Sequence, residues 1–200
     1  MRSYLQWCLH ENKIQMVDEG SLEIEDDAES GYIELGLELR DDFTNLLKET
    51  EAIEGIDSKY KDFKKIVDKI LENPETKQLM VFSFFVRTLE YLKKRLEQEG
   101  IIVGIIHGKI PVKGNGKEPD RYDIMENFKQ GKYQVLLSSE VGGEGLDFQY
   151  CHAILNYDLP YNPMRVEQRI GRIDRFGQQA DKVIVANMFI RGTVDEQIYD

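Results

Sequence analysis

Residues 162–178 read NPMRVEQRIGRIDRFGQ, from Asn162 to Gln178, and their spacing predicts an amphipathic helix. Asn162 is a capping residue type, and Pro163 takes the first helical position, where a missing N–H costs nothing. At 100° per residue, Gln168, Arg172 and Arg175 fall within about 60° of one another, while Val166, Ile170 and Ile173 lie roughly 200° away. One face is expected to pack on a sheet and the other to present an amide and two guanidiniums. Gly171, expected in mid-helix, costs roughly 1 kcal/mol there against alanine, which suits a packing or close-approach role. Most charged helix faces are simply solvated. This one has few acids and uses arginine without lysine, and the planar guanidinium fork matches phosphate oxygens better than a point charge does. The pattern alone leaves a solvated face and a phosphate-recognising face both open.

Reading outward from this helix, apolar runs alternate with helical periodicity. Ser58 onward carries Tyr60, Phe63, Ile66, Val67 and Ile70 at three- and four-residue spacings and stops before Pro74, which predicts a helix. Leu79–Phe82 is a short run of the kind expected for a strand buried on both faces. A second helix is predicted from Arg87 to Gly100, a strand from Ile101 to Ile106, and a helix from Arg121 to Gln130. Further strands are expected at Gln134–Leu137, Ala153–Leu155 and Val183–Ile190. The alternation predicts an α/β fold, an open and mostly parallel sheet with helices on both faces. Ligands of such sheets sit beyond the carboxyl ends of the strands. That directs attention to Ser83–Phe85, His107–Gly108, Ser138–Asp147 and Asn156–Tyr161.

The 200 residues carry a net charge of −11, which at face value disfavours nucleic acid. The charge is unevenly spread. Residues 1–57 hold four basic and sixteen acidic residues, whereas residues 58–200 are balanced to within one charge. Residues 1–57 are therefore read as an acidic linker or the end of a preceding region. Glu19–Glu29 is too charged to bury much, and a short helix is expected around Leu35–Leu47. No apolar run approaches a membrane span and no signal peptide is legible. Cys8 and Cys151 cannot form a disulfide framework or a thiolate metal site. A cytoplasmic setting, with no membrane partner, is the expectation.

A second informative stretch, Val135–Asp147, reads VLLSSEVGGEGLD. A strand runs into three glycines within four residues, which lets backbone N–H groups approach an anion or a sugar. Glu140 and Asp147 bring carboxylates to the same strand end; contacts to a ribose or to arginine suit them better than acid–base work, since no nucleophile accompanies them. Other stretches fail as sites. Gly114–Glu118 resembles a phosphate loop but has Pro111 and Glu118 where the motif needs glycine and a hydroxyl, so a surface hairpin is expected. Thr193 and Glu196 read as a capping box opening a helix. Cys151-His152 reads as a buried structural pair rather than a nucleophile and its base.

Taken in order, VFSFF (Val81–Phe85), IIHG (Ile105–Gly108), LLSSEVGGEGLDF (Leu136–Phe148), NYDLPYNPMRVEQRIGRIDRFGQ (Asn156–Gln178) and GTVDEQI (Gly192–Ile198) resemble the second, C-terminal RecA-like lobe of superfamily-two helicases. The resemblance runs from about Asp57 to the end and is nearest to the Swi/Snf-type ATPases, in the bacterial branch that includes the RNA-polymerase-recycling ATPase. It implies a P-loop-NTPase-type RecA-like domain over residues 58–200. QRIGRIDR is similar to motif VI, which makes Arg172 and Arg175 the arginines that reach the γ-phosphate of ATP across a cleft, with Gln168 the opening glutamine. SSEVGGEGLD is similar to motif V. There Ser139 matches a nucleic-acid-contacting hydroxyl, while Glu140, Gly145 and Asp147 fall near the nucleotide and the cleft. Ser83 and Phe84 match motif IV, at the sheet edge beside the nucleic-acid track, and His107-Gly108 matches a turn along the bound strand. The stretch Lys109–Pro119 departs from the family by its length.

No GxxxxGK[ST] and no strand-linked DExx occurs. The resemblance therefore implies one lobe of a larger ATPase, using ATP with Mg2+ only when a first RecA-like lobe completes the site, and inactive alone. Nucleic acid (double-stranded DNA) and RNA polymerase or another DNA-bound complex are the partners it implies. A binding module derived from such a lobe is the competing class, and a non-catalytic binder would have no need of paired arginines. An unrelated nucleotide- or sugar-phosphate-binding enzyme would leave the arginine motif unexplained.

Overall fold

Four-residue apolar strands alternate their side chains between two faces, and the partition of the core follows from that period. In the computed structural model Leu79 and Val81 of one strand enter one apolar cluster, while Met80 and Phe82 enter the other. The structure describes residues 9–10, 13–15, 32–34, 36–52, 57–114, 119–140, 142–143, 145–160, 162–190 and 192. The acidic stretch Glu19–Glu29, residues 115–118 of the expected hairpin and the expected helix around Thr193 and Glu196 lie outside them.

The chain divides into two units, residues 1–59 and 60–200. In the first, strands β1 (Lys13–Gln15) and β2 (Tyr32–Glu34) pair antiparallel, and helix α1 spans Leu37–Ala52. The apolar spacing near Leu35–Leu47 anticipates this helix, which is longer than expected; the β1–β2 pair has no counterpart in the sequence reading.

Helix α2 (Ser58–Leu71), all but its first two residues in the second unit, leads into β3 (Leu79–Phe82), α3 (Val86–Gln98), β4 (Val103–Ile106), α4 (Arg121–Lys129), β5 (Val135–Ser138), β6 (Ala153–Asn156), α5 (Pro163–Ile170) and β7 (Ile184–Asn187). The five strands β3–β7 form one sheet in the order β4-β5-β3-β6-β7, and every pairing is parallel. Helices α2 and α3 cover one face through Phe63, Val67, Leu89, Leu92 and Leu96. Helix α4 covers the other through Ile124 and Phe128, joined by Phe148 and Ile173. The expected open parallel α/β sheet is present, and it is the architecture of a RecA-like domain. Strand β3 lies at its centre, with all four side chains buried. Ser83 and Phe84 therefore stand at the carboxyl end of the middle strand, and the expectation that they lie at the sheet's edge is corrected.

Several ends are shorter than the spacing suggested. The strand expected from Ile101 begins at Val103, and Ile102 is exposed. That expected over Val183–Ile190 is confined to Ile184–Asn187, leaving Phe189 and Ile190 exposed. Helix α4 opens on a capping box in which Asp120 accepts from the Asp123 N–H and Asp123 returns the bond. Cys151 is buried, donating to the carbonyls of Ala153 and Gln78, and burial pushes its thiol up to about 11. It is protonated at neutral pH, which fits the structural reading. No described helix is long and apolar enough to cross a membrane.

Candidate functional site

The carboxyl ends of β3, β4, β5 and β6 converge with the segment after α5, and hydrogen bonds join them directly. Gly142 shows why the loop after β5 is rich in glycine. A Cβ there would come within 2.6 Å of the Cα of His107 and collide with the carbonyl of Ile106, so only glycine lets the loop lie on the end of β4. Gly145 adopts φ +72°, the left-handed region that favours glycine. Gly142→Ala is expected to destabilise the lobe by about 1–3 kcal/mol, the cost of overpacking against backbone. Urea unfolding of the chain measures it, and an unchanged midpoint would exclude this role.

The arginine motif differs from the uninterrupted helix that its periodicity predicts. Helix α5 ends at Ile170, and Gly171 is its cap rather than a mid-helix residue. Beyond it the chain runs in tight turns, with the N–H of Arg172 on Arg169 O at 3.1 Å and that of Ile173 on Ile170 O at 2.9 Å. The Asp174 N–H still reaches Ile170 O at 2.9 Å, and competition for the following carbonyls keeps a helix from resuming beyond it. The Phe148 N–H takes Arg172 O at 3.0 Å, and the Gln178 amide takes Ile173 O at 2.9 Å. Gln168, exposed on α5, is thus on a different element from Arg172 and Arg175.

The arginines meet the glycine-rich loop. A terminal nitrogen of Arg172 donates to Gly143 O. Arg175 donates from Nε to Gly171 O at 2.8 Å and from Nη1 to the Asp147 carboxylate. The Arg175–Asp147 side chains are 50% and 55% exposed. A pair so wet is worth about 0–1 kcal/mol, enough to orient a guanidinium and too little to hold it against a phosphate.

Arg169, absent from the residues singled out in the sequence, is the most deeply buried charge at the site, with 0% of its side chain exposed. It donates from Nε to Glu140 at 2.5 Å, from Nη1 to the Asn156 side-chain oxygen at 2.8 Å, and from Nη1 to Asp158 O at 2.9 Å. Its guanidinium carbon lies 5.2 Å and 5.0 Å from the ring centres of Phe82 and Phe84. Glu140, 13% exposed, is thereby bound to Arg169. Of the expected apolar face, Val166 and Ile173 are buried while Ile170 is half-buried. The signal for Arg169 was its angle. It lies about 70° from the centre of the apolar stripe, at the stripe's flank.

The hydroxyls at the strand ends are also engaged. Ser83, fully buried, donates from Oγ to Asp158 at 2.5 Å. Ser139, 2% exposed, accepts the Gly142 N–H on its Oγ at 3.0 Å. Phe84 is half-buried and Phe85 exposed, so the aromatic rather than the hydroxyl side of this strand end meets solvent. The His107-Gly108 turn is held by Arg121, whose guanidinium donates to Gly108 O and Ile110 O, both at 2.7 Å. Arg121 is another buried cation that the sequence reading left among ordinary helix residues.

A separate cleft of ≈ 940 Å³ opens at the amino ends of the strands, lined by Thr76, Gln78, His152, Gln178 and Lys182 among others. Thr76 Oγ1 and His152 Nε2 bond across it at 3.1 Å, and none of the strand-end residues above lines it.

A RecA-like sheet whose carboxyl ends gather a glycine-rich loop and an arginine segment defines a lobe of the helicase type. The chain belongs to the helicase conserved C-terminal domain family, which it matches over residues 59–177. It is 38% identical over 160 residues to an uncharacterized ATP-dependent helicase of Bacillus subtilis (strain 168), YqhH, covering 80% of this chain and 25% of that protein. It is 33% identical over 135 residues to the RNA polymerase-associated protein RapA of Vibrio campbellii, covering 66% of this chain and 14% of the relative. The chain thus spans a quarter or less of these relatives. The C-terminal part of the Fun30 ATPase domain superposes with a TM-score of 0.62 at 19% identity, over 81% of this chain and 51% of that one. The Pyrococcus furiosus Hef helicase domain gives 0.59 at 22% identity, over 99% and 36%. These two likenesses concern the fold.

Proposed function

We infer that residues 58–200 are the C-terminal lobe of an ATP-dependent, Swi/Snf-type translocase, and that Arg172 and Arg175 complete an ATP site built by a first lobe. The observation that carries this reading is the pairing of the arginine segment with the glycine-rich loop: Arg172 on Gly143 O and Arg175 on Asp147. Phosphoryl transfer needs positive charge on the migrating group, and an arginine supplied across a cleft can be worth 10³–10⁵ in rate, roughly. Arg175 is suited to that task, being half exposed and loosely paired. Closure of the cleft brings it to the phosphate, so hydrolysis is tied to lobe motion. Gln168, exposed on the preceding helix, faces the same event from α5. ATP and Mg2+ are held by the first lobe in this reading, and Glu140, Gly145 and Asp147 border the nucleotide.

Nucleic acid, double-stranded DNA, runs past the strand ends at Phe84 and the His107-Gly108 turn. Ser83 and Ser139, buried as they are, shape this surface rather than contact the strand through free hydroxyls. The acidic segment before residue 58 acts as a tether, which leaves the lobe near neutral and able to meet phosphates. An RNA polymerase or another DNA-bound complex is the partner class suggested by the RapA relatives, and the cytoplasm is the setting. A comparison of the 200-residue chain with a two-lobe protein tests the reading. The chain alone is expected to show no ATP turnover above background, and the two-lobe protein turnover that rises with duplex DNA. Turnover by the chain alone, contaminants excluded, or no response of the two-lobe protein to nucleic acid, would overturn it.

A further inference from the structure

The cleft at the amino ends of the strands holds two groups of polar side chains. One group is spent on the lobe itself. Gln178 donates from Nε2 to Cys151 O and Ile173 O, both at 2.9 Å. Gln78 donates from Nε2 to Tyr133 O at 3.0 Å, and Thr76, 1% exposed, bonds His152. These bonds fix the floor of the cleft. The side chains of the other group, Lys77, Lys129, Lys182, Gln149 and Gln179, line the same cleft and make no hydrogen bond or ion pair among the described residues. The three lysines come from three segments: the lead into β3, the last turn of α4 and the lead into β7. Like charges repel, so their gathering around one concavity of ≈ 940 Å³ is unfavourable until an anion enters it.

The chemistry of the lining selects the kind of anion. Among the described residues no arginine lines the cleft, whereas two acids, Glu75 and Asp181, do. A compact phosphate favours the planar guanidinium fork and is repelled by carboxylates. An extended peptide suits the lining better. Primary amides both donate to and accept from peptide groups, and separated lysines take carboxylate side chains set at intervals along a chain. We propose that this cleft is a docking site for an acidic peptide segment of a partner protein, with Lys77, Lys129 and Lys182 taking its carboxylates and Gln149 and Gln179 its backbone. The cleft lies at the opposite end of the sheet from Ser83, Phe84 and the His107-Gly108 turn, so a partner docked there leaves them free.

Fluorescence anisotropy of a labelled peptide of alternating glutamate and serine, titrated with the 200-residue chain, tests the proposal. Saturable binding is expected. Lys77→Glu, Lys129→Glu and Lys182→Glu together should weaken it by about tenfold, the combined effect of three exposed charge pairs. All three lysines are exposed, so the variant should fold, which circular dichroism checks. Gln149→Ala with Gln179→Ala is expected to weaken binding by about threefold or more and carries the test if the lysine variant does not fold. Reversal of Lys61, Lys65 and Lys94, on α2 and α3 and outside the cleft, makes the same change in net charge and should leave affinity within about twofold. Absence of saturable binding overturns the proposal. So does an equal loss in the two reversal variants, which would mark attraction by net charge alone. Displacement of the peptide by inorganic tripolyphosphate or a short DNA duplex, at lower concentration than unlabelled peptide requires, would make the cleft a phosphate site and overturn the peptide assignment.

Discussion

Replacing Arg175 with alanine in the two-lobe protein is expected to lower ATP turnover by about a thousandfold while ATP binding stays within a few-fold. The split follows from when the guanidinium is used. A group that meets the phosphate only as the cleft closes contributes to the transition state and little to the ground state. Stability should hardly move, because the Arg175–Asp147 pair is half exposed and contributes about 0–1 kcal/mol. Arg172→Ala is expected to cost turnover similarly and stability more, since Arg172 is half-buried and donates to Gly143 O. Arg175→Lys should recover only a small part, a point charge lacking the fork. Steady-state turnover alongside equilibrium binding of a fluorescent nucleotide measures both quantities. Turnover within about threefold of wild type in either alanine variant would remove the arginine from the chemistry.

Arg169→Ala has the largest expected effect on stability. It strands the Glu140 carboxylate, 13% exposed, and removes the donor to Asn156 and Asp158. Removing one partner of a buried pair costs about 3–5 kcal/mol, mostly the penalty of the charge left behind. The residual exposure of Glu140 places the expectation at the lower part of that range. Arg169→Met combined with Glu140→Gln should regain much of the loss, because no uncompensated charge remains. Urea unfolding of the chain reads both, and a loss below about 1 kcal/mol for Arg169→Ala would contradict the burial argument.

The contrast between Arg169 and Arg175 marks how far periodicity reaches. The strand at Leu79–Phe82 was legible to the residue because a run of four apolar side chains has few alternatives to a doubly buried strand. Helices α2, α3 and α4 were legible within a residue or a few, since their apolar spacings repeat over several turns and their caps are local. The segment after Ile170 was not. Its periodicity continues through Ile173, but the helix is capped at Gly171, and the carbonyls of Arg172 and Ile173 that a resumed helix would need are bonded by Phe148 and Gln178. Gly142 belongs with it: a glycine cluster announces close approach, and only the packed lobe reveals that the approach is to Ile106 and His107.

By itself the sequence determined the parallel α/β lobe, the strand ends where the glycine-rich loop and the arginine segment meet, and the exposure of Gln168 and Arg175. Those features are written in local spacing, capping and burial period, which act over a few residues. Tertiary structure alone decided that the helix stops at Gly171, that Asp147 holds Arg175 while Gly143 holds Arg172, and that Arg169 is sealed inside against Glu140, Asn156 and Asp158. A buried guanidinium is tolerated only where acceptors from distant segments converge on it. No local rule counts acceptors that lie 11 to 29 positions away in the chain.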